Sequence, residues 1–264
     1  MSKAHIITIS NEKGGTGKST ISMHLAILLM QEGFKTAVVD MDGRQGTLSN
    51  YIKNRHSFGI QNHINLIAPQ LVTITPRENP LEYQNHASEI KMAIDELAKS
   101  YDAIIIDTPG NKNYLFELAH KLADTLITPI SDSFIDLNVL ATIDEENPQK
   151  QQAGQYAQFV WEIKKYLAKQ GKPLLNWIVV GNKISPFNSR NKNLFFDHLQ
   201  KISKMYGFRI AGNLRDRTIY KEMFPQGLTV LDLNTKNLKS KMTISHLAAK
   251  QEIKSLAEFI CPQR

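Results

Sequence analysis

The chain has 264 residues, of which 42% are hydrophobic, a net charge of +7 and a single cysteine. This length is enough to bury a full core, and we predict one domain over residues 1–264. The lone Cys261 excludes an intramolecular disulfide and a four-cysteine zinc or iron–sulfur site, which fits a reducing cytoplasm. The eight histidines show no paired metal-ligand spacing, so we assign them no chemistry.

Short apolar runs alternate with helix-period segments along the chain. The runs are HIITIS (5–10), TAVVD (36–40), INLIA (64–68), AIIIDT (103–108), DTLITPI (124–130) and NWIVVGN (176–182). They are continuously apolar, which is typical of parallel strands buried on both faces. The sequence therefore predicts an α/β fold with a doubly wound, mostly parallel sheet and helices on both faces. A polar, Gln-rich stretch followed by a helix is expected to form an inserted excursion at about 144–172.

The segment NEKGGTGKST (11–20), between the first predicted strand and a helix, has the pattern of a phosphate-binding loop. Such a loop offers backbone N–H groups and a helix N-terminus to polyphosphate. Lys18 is placed to reach the β- and γ-phosphates, and the Ser19 hydroxyl to ligate Mg²⁺. Glu12 holds the place of the usual first glycine. The predicted nucleotide-binding residues of the loop are Gly14, Gly15, Thr16, Gly17, Lys18, Ser19 and Thr20.

Carboxylates end two other predicted strands. Asp107 follows AIII at a position suited to holding magnesium or its waters, and Gly110 lets the next loop move. Asp40 and Asp42 end another strand, and alternation along an extended chain points both side chains to the same side. We predict that Asp42 positions the attacking water and that Asp40 belongs to the outer metal shell. The predicted magnesium site then consists of Ser19, Asp40 and Asp107.

These motifs resemble the ParA/MinD family of deviant Walker A ATPases. KGGTGKST, which begins with Lys13, is similar to the family's phosphate loop, and DMDGRQ and DTPG are similar to its two switch loops. DSFID, GFRI, LRDRTIY and FPQGLTVLDL extend the likeness over nearly the whole chain, and the last three resemble the MipZ subgroup of division-plane positioning ATPases. The resemblance implies a P-loop fold whose ATP-bound form pairs face to face, with Lys13 crossing to the partner's phosphates.

The second lysine also has a physical reason. A cation supplied only on pairing stabilises charge on the γ-oxygens and couples hydrolysis to dimerisation. We therefore predict a Mg²⁺-dependent ATP hydrolase with Lys13, Lys18 and Asp42 as its catalytic residues. The resemblance implies that the switch residues are Asp42, Arg44, Asp107 and Gly110. It also implies that the Asn182 amide pairs with the adenine edge, although a plain turn residue is an equal alternative there.

The resemblance implies a function as an ATP-dependent dimerising switch that positions the division plane. Its implied partners are a ParB-like partition protein, non-specific DNA and FtsZ, whose assembly it would inhibit. One alternative is a ParA-type chromosome or plasmid partition ATPase, and another is a MinD-like membrane-associated division regulator. The C-terminal segment ISHLAAKQEIKSLAEFICPQR lacks the basic, strongly amphipathic character of a bilayer-surface helix. We therefore expect no stable membrane anchor, and a cytoplasmic protein associated with the nucleoid and the poles.

Nine basic residues and only two acidic ones lie between residues 183 and 221. This bias indicates either a solvated basic face or a surface for an anionic partner. The stretch has no aromatic interleaving and no recognition-helix motif, so DNA contacts there would go to phosphates and be independent of sequence. The candidates for DNA contact are Arg190, Lys192, Lys201 and Lys204.

Overall fold

A computed structural model describes residues 3–142, 152–185, 190–234 and 243–260, apart from the side chains of residues 142, 190–192 and 234. The strands in this part of the chain are β1 His5–Ile9, β2 Thr36–Asp40, β3 Gln70–Thr73, β4 Ala103–Asp107, β5 Thr125–Ile130, β6 Ala141–Thr142, β7 Gln152–Ala153, β8 Asn176–Ile184 and β9 Arg209–Arg215. The helices are α1 Lys18–Gln31, α2 Thr47–Asn62, α3 Tyr83–Leu97, α4 Tyr114–Leu122, α5 Phe134–Leu140, α6 Gln155–Lys169, α7 Arg190–Tyr206, α8 Thr218–Met223 and α9 Ile244–Glu258.

Seven of the strands form one sheet in the order β3-β2-β4-β1-β5-β8-β9, and each neighbouring pair is parallel. The two-residue strands β6 and β7 form a separate antiparallel pair. The chain leaves β1 toward β2 on one side and later returns past β1 to β5 on the other. Ligands of open α/β sheets bind at the carboxyl ends of the strands beside such a reversal. The predicted doubly wound α/β fold is confirmed.

Both faces of the sheet are buried, and this explains the continuous apolar strands. On one face, Ile7 and Ile105 pack with α1, α2 and α9. On the other face, Ile6 and Ile104 pack with α3 and α4, while α5, α6 and α7 cover the β5 and β8 side. Because successive strand residues point to opposite faces, a strand covered twice needs apolar residues at every position.

The sequence misplaces one strand and misses another. Residues 64–68 are not a strand: β2 instead pairs with Gln70–Thr73, and the Ile67 carbonyl accepts a hydrogen bond from Arg55 Nε at 2.7 Å. The apolar residues of this segment pack partly against the core and do not pair in the sheet. The sequence also missed β9, which lies at the sheet edge and buries only Ala211 and Leu214. An edge strand with few buried positions carries little apolar signal.

The excursion expected at about 144–172 is described only from residue 152 onward. There, α6 packs against α4 and α5 and buries Tyr156, Val160, Ile163 and Leu167. The predicted helix is present, but it belongs to the crossover between β5 and β8 and is part of the layer that covers the sheet. Among the described residues, no helix combines the length and apolar character needed to cross a membrane.

Candidate nucleotide site

A cavity of about 1160 Å³ lies at the carboxyl ends of the strands. Residues from the phosphate loop, both switch loops and the end of β8 line it, and its wall includes Gly14, Gly15, Gly17, Lys18, Ser19, Thr20, Asp42, Arg44, Gly110 and Asn182. Residues 130–134, at the carboxyl end of β5, do not line this cavity. Just before this segment, the Pro129 carbonyl of β5 accepts a hydrogen bond from Asn11 Nδ2 at 2.7 Å. Most of the predicted site residues therefore meet at one cavity, whereas Lys13, Thr16, Asp40 and Asp107 are not part of its wall.

The phosphate loop closes directly onto the first turn of α1. Gly17 is the residue before the helix and has φ 90°, a left-handed conformation that glycine adopts without strain. A Cβ atom at Gly17 would also lie 2.2 Å from the Asn182 Nδ2 atom. Backbone N–H groups of this loop and of the first helical turn have no partners within the helix, so they are available to an anion.

Lys18 is buried at the floor of this loop. Its Nζ donates to the Lys13 carbonyl at 3.1 Å. Burial lowers the pKa of Lys18, while the charges of Asp107 and Asp42 act to raise it. A polyphosphate beside the ammonium would stabilise its charged form further, because an opposite charge at short range offsets desolvation.

The carboxylates of β2 and β4 lie side by side, because Asp40 and Asp107 are register partners. Burial raises the pKa of Asp107 to about 7, and the Asp40 charge adds to this effect, although hydrogen bonding to Ser19 acts in the opposite direction. Asp107 Oδ1 also accepts from Ser22 Oγ at 3.3 Å. A bound divalent cation would favour ionised Asp107.

The donors at this point are suited to magnesium that arrives with phosphates. Ser19 and Asp107 offer a hydroxyl and a carboxylate within hydrogen-bonding reach of each other. Magnesium commonly binds one or two protein oxygens and completes its shell with phosphates and waters. Among the described residues, no group of three or more His, Cys, Asp or Glu side chains forms a separate metal cage. Ser19 and Asp107 are therefore the residues that would hold the ion.

Asp40 fastens the first switch loop. One of its carboxylate oxygens accepts from the Asp42 backbone N–H at 3.0 Å, and the other accepts from the Ser49 N–H and hydroxyl at 2.9 and 2.7 Å. These bonds fix the turn between β2 and α2 and orient Asp42, which lines the cavity. Burial and the Asp40 charge raise the pKa of Asp42. An outer-shell role for Asp40 toward magnesium stays a prediction.

The other two predicted switch residues lie on the same cavity wall. Arg44 donates to Glu78 at 2.9 Å in an exposed ion pair. Gly110 lies against the phosphate loop, where a Cβ atom would come 3.1 Å from the Gly14 Cα and 3.5 Å from the Lys18 Nζ. Glycine at 110 therefore allows a close approach of the second switch loop to the phosphate loop.

Lys13 turns away from the cavity floor and forms an ion pair with Asp136 at the start of α5. Asp136 is buried and also accepts from the Ser131 hydroxyl at 2.6 Å and backbone N–H at 2.9 Å. Burial acts to raise the pKa of Asp136, but hydrogen bonds from Lys13 and Ser131 outweigh it and hold this pKa below its ordinary value. The sequence analysis gave Asp136 no role, since nothing local marks it as the partner of a residue 123 positions away.

Two adjacent residues at the end of β8 contact the phosphate loop. The Asn182 amide donates to the Thr16 carbonyl at 2.6 Å, and Lys183 Nζ donates to the Gly15 carbonyl at 2.5 Å. Both side chains line the cavity. The predicted pairing of Asn182 with adenine stays a prediction. Lys183 was missed as a site residue because the sequence placed it only in the basic stretch. The sequence signal that could have identified Lys183 is its position directly after Asn182, which was itself a predicted site residue.

The basic stretch divides into two sets in the structure. One set faces the cavity and consists of Lys183, Arg215, Arg217 and Lys221. Within the other set, Lys201 and Lys204 are exposed on α7, while the side chains of Arg190 and Lys192 lie outside the described residues. Four of the nine basic residues therefore lie on the cavity wall, and one of them, Arg217, is paired with Glu252.

This fold and this site define a P-loop nucleotide-binding protein of the ParA/MinD type, in which the phosphate loop carries a second lysine. The sequence profile of the family described as ATPase MipZ matches residues 5–260. The chain belongs to this family.

Known relatives agree with this assignment. The chromosome partitioning protein ParA of Myxococcus xanthus is 30% identical over 158 residues, covering 52% of this chain and 56% of the relative. An ATP complex of a McdA variant from Cyanothece superposes with a TM-score of 0.68 at 17% identity, covering 100% of this chain and 99% of that one. The cell division ATPase MinD of Pyrococcus furiosus gives a TM-score of 0.59 at 16% identity, covering 97% and 98%. At these identities the structural likeness shows the fold alone. The chain spans about half of the length of the curated relatives it matches.

Proposed function

We propose that the chain is an ATP-dependent dimerising switch that hydrolyses ATP and whose two states prefer different partners. The observation that carries this proposal is the division of labour between two lysines of one loop. Lys18 is buried against the phosphate loop, whereas the Lys13 side chain is 46% exposed and turned outward. Lys13 is paired with Asp136 rather than with the floor of the loop, so it can exchange this carboxylate for the phosphates of a second copy.

In the proposed reaction, Lys18 and the loop N–H groups bind the ATP polyphosphate. Magnesium, held by Ser19 and Asp107, would neutralise charge on the β- and γ-phosphates. Asp42 orients the attacking water, and Asp40 holds the Asp42 turn in place. Lys13 of the second copy stabilises the charge that develops on the γ-oxygens, so hydrolysis depends on pairing. These steps assign Lys13, Lys18 and Asp42 as the catalytic residues and Arg44 and Gly110 as parts of the moving loops.

For the output we propose positioning of the division plane, with a ParB-like partition protein, non-specific DNA and FtsZ as partners. Membership of the ATPase MipZ family supports this choice. We further propose that the protein is cytoplasmic, without a stable membrane anchor, and associates with the nucleoid and the poles. The apolar residues Ala249, Ile253 and Leu256 of α9 are buried against the domain and so are not available to a bilayer, which argues against a MinD-like anchor.

A ParA-type partition ATPase is the second candidate, because a named partition protein is 30% identical over half of the chain. Both candidates need ATP, a ParB-like protein and DNA, so FtsZ separates them. Light scattering by assembling FtsZ should fall when the full chain and ATP are added together. The matched control is Lys18→Ala, which should have no effect with ATP. Unchanged FtsZ assembly, with ATP hydrolysis still stimulated by a ParB-like protein, would favour the partition ATPase.

A further inference from the structure

Lys183 has a backbone conformation that side chains rarely adopt. Its φ is 56°, and His63 is the one other non-glycine residue with positive φ that the described residues include. The register between β8 and β9 shifts twice, first between Val179 and Gly181 and again between Gly181 and Ile184, and the second interval contains Lys183. Such irregularities cost strain, and they cluster where they aim a side chain at a functional site.

The strained turn directs Lys183 at the backbone of the phosphate loop. Lys183 Nζ donates to the Gly15 carbonyl and Asn182 Nδ2 to the Thr16 carbonyl, so two successive carbonyls are held from the same side. In a trans peptide the N–H points opposite to the carbonyl of the same unit. The N–H groups of Thr16 and Gly17 therefore point away from the two side chains. Phosphate loops bind their ligand with N–H groups of this kind.

The turn that carries Lys183 is itself fixed. On one side the Ser185 N–H donates to Asp132 Oδ2 at 2.9 Å. On the other side Gly181 packs so closely on β9 that a Cβ atom there would lie 2.3 Å from the Asn213 Oδ1. Because both ends of the turn are held in place, the turn keeps Lys183 at a fixed position relative to the phosphate loop.

We propose that Lys183 is a positioning residue for polyphosphate: it clamps the Gly15 carbonyl and so presets the phosphate-loop N–H groups for the ligand. This inference rests on the proposed nucleotide-binding function and deepens it. The lysine acts through the loop backbone, so its effect concerns the phosphates and is independent of the base. Its ammonium is bound to the loop carbonyl, so Lys183 serves the phosphate loop although it belongs to the basic stretch.

The test is a calorimetric titration of the full chain with inorganic tripolyphosphate and, separately, with ATP. Lys183→Ala should weaken both ligands by the same factor, about tenfold, as expected for losing one oriented charged hydrogen bond. Lys183→Arg should restore most of the affinity. Lys169→Ala, which removes an exposed lysine at the end of α6, is the matched control and should bind like wild type.

Lys183→Gly separates positioning from a merely structural role. Glycine adopts φ 56° without strain, so this variant should melt at a higher temperature than Lys183→Ala while losing the same polyphosphate affinity. Tripolyphosphate affinity within twofold of wild type in Lys183→Ala would overturn the clamp, as would a loss confined to ATP, which would place the lysine on the base. A wild-type chain that binds neither ligand would overturn the proposed function together with the clamp.

Discussion

Lys13 and Asp136 are held together as an ion pair within one chain, although they lie 123 positions apart in sequence. Asp136 is anchored by Ser131 and is only 3% exposed, so the lysine is the mobile member of the pair. In the proposed dimer Lys13 contacts the phosphates of the other copy, and it must therefore leave Asp136. This exchange of one anion for another makes the ion pair a competitor of dimerisation.

Lys13→Ala should leave ATP binding nearly intact while weakening dimerisation at least tenfold and hydrolysis about 100-fold, since it removes a cation that acts only across the interface. Calorimetry, light scattering and phosphate release measure the three quantities. Lys18→Ala is the paired control, because removing a charge-assisted hydrogen bond inside the loop should abolish nucleotide binding itself. Equal loss of monomer affinity in the two variants would show that Lys13 is an ordinary ligand of phosphate within its own chain.

Asp42→Ala should bind Mg·ATP and pair but hydrolyse about 100-fold more slowly, so that the dimer persists. The expected cause is loss of water orientation, because Asp40 and the loop fold remain. Phosphate release under saturating ATP and light scattering over time check this expectation. Turnover near the wild-type rate would assign water positioning to another residue.

The sequence predicted the parallel sheet and the site loops because their signals are local. The residues of β1 and the glycines of the phosphate loop are recognisable in short windows. The features that the sequence missed depend on tertiary structure. The position of β3 follows from pairing with β2, and the pairing of Lys13 with Asp136 joins residues from distant segments. Lys183 reaches the Gly15 carbonyl because the pairing of β8 with β9 is irregular, and the sequence did not predict β9 at all.

Lys201 and Lys204 are the candidates for DNA contact whose side chains the structure describes, and both are exposed on α7. The double variant Lys201→Ala with Lys204→Ala should weaken binding to all DNA sequences alike. The slope of log affinity against log salt should flatten by about 0.9 for each DNA phosphate that the variant no longer neutralises. Fluorescence anisotropy across a salt series measures this, and ATP turnover without DNA should not change. An unchanged slope would show that these lysines belong to a solvated surface and do not contact DNA.

Two buried histidines make the stability of the fold depend on pH in the acid range. Burial lowers the pKa of His24 and of His120 to about 4 in each case. An unfolded histidine titrates near 6.5, so between about pH 6.5 and pH 4 the unfolded chain binds more protons. The contribution of these two neutral histidines to the free energy of unfolding is therefore fully present above about pH 6.5 and is lost as pH falls toward about 4. His24→Gln should reduce this slope by about one proton, roughly 1.4 kcal/mol per pH unit, in denaturant titrations. A slope equal to wild type would contradict a neutral, buried His24.

The most direct test of the switch is the molecular mass of the full chain in each nucleotide state, measured by light scattering with Mg²⁺. We predict a monomer with ADP and a dimer with a non-hydrolysable ATP analogue, and we predict that Lys13→Ala remains monomeric with both. A wild-type mass that is the same in the two nucleotide states would contradict an ATP-dependent dimerising switch.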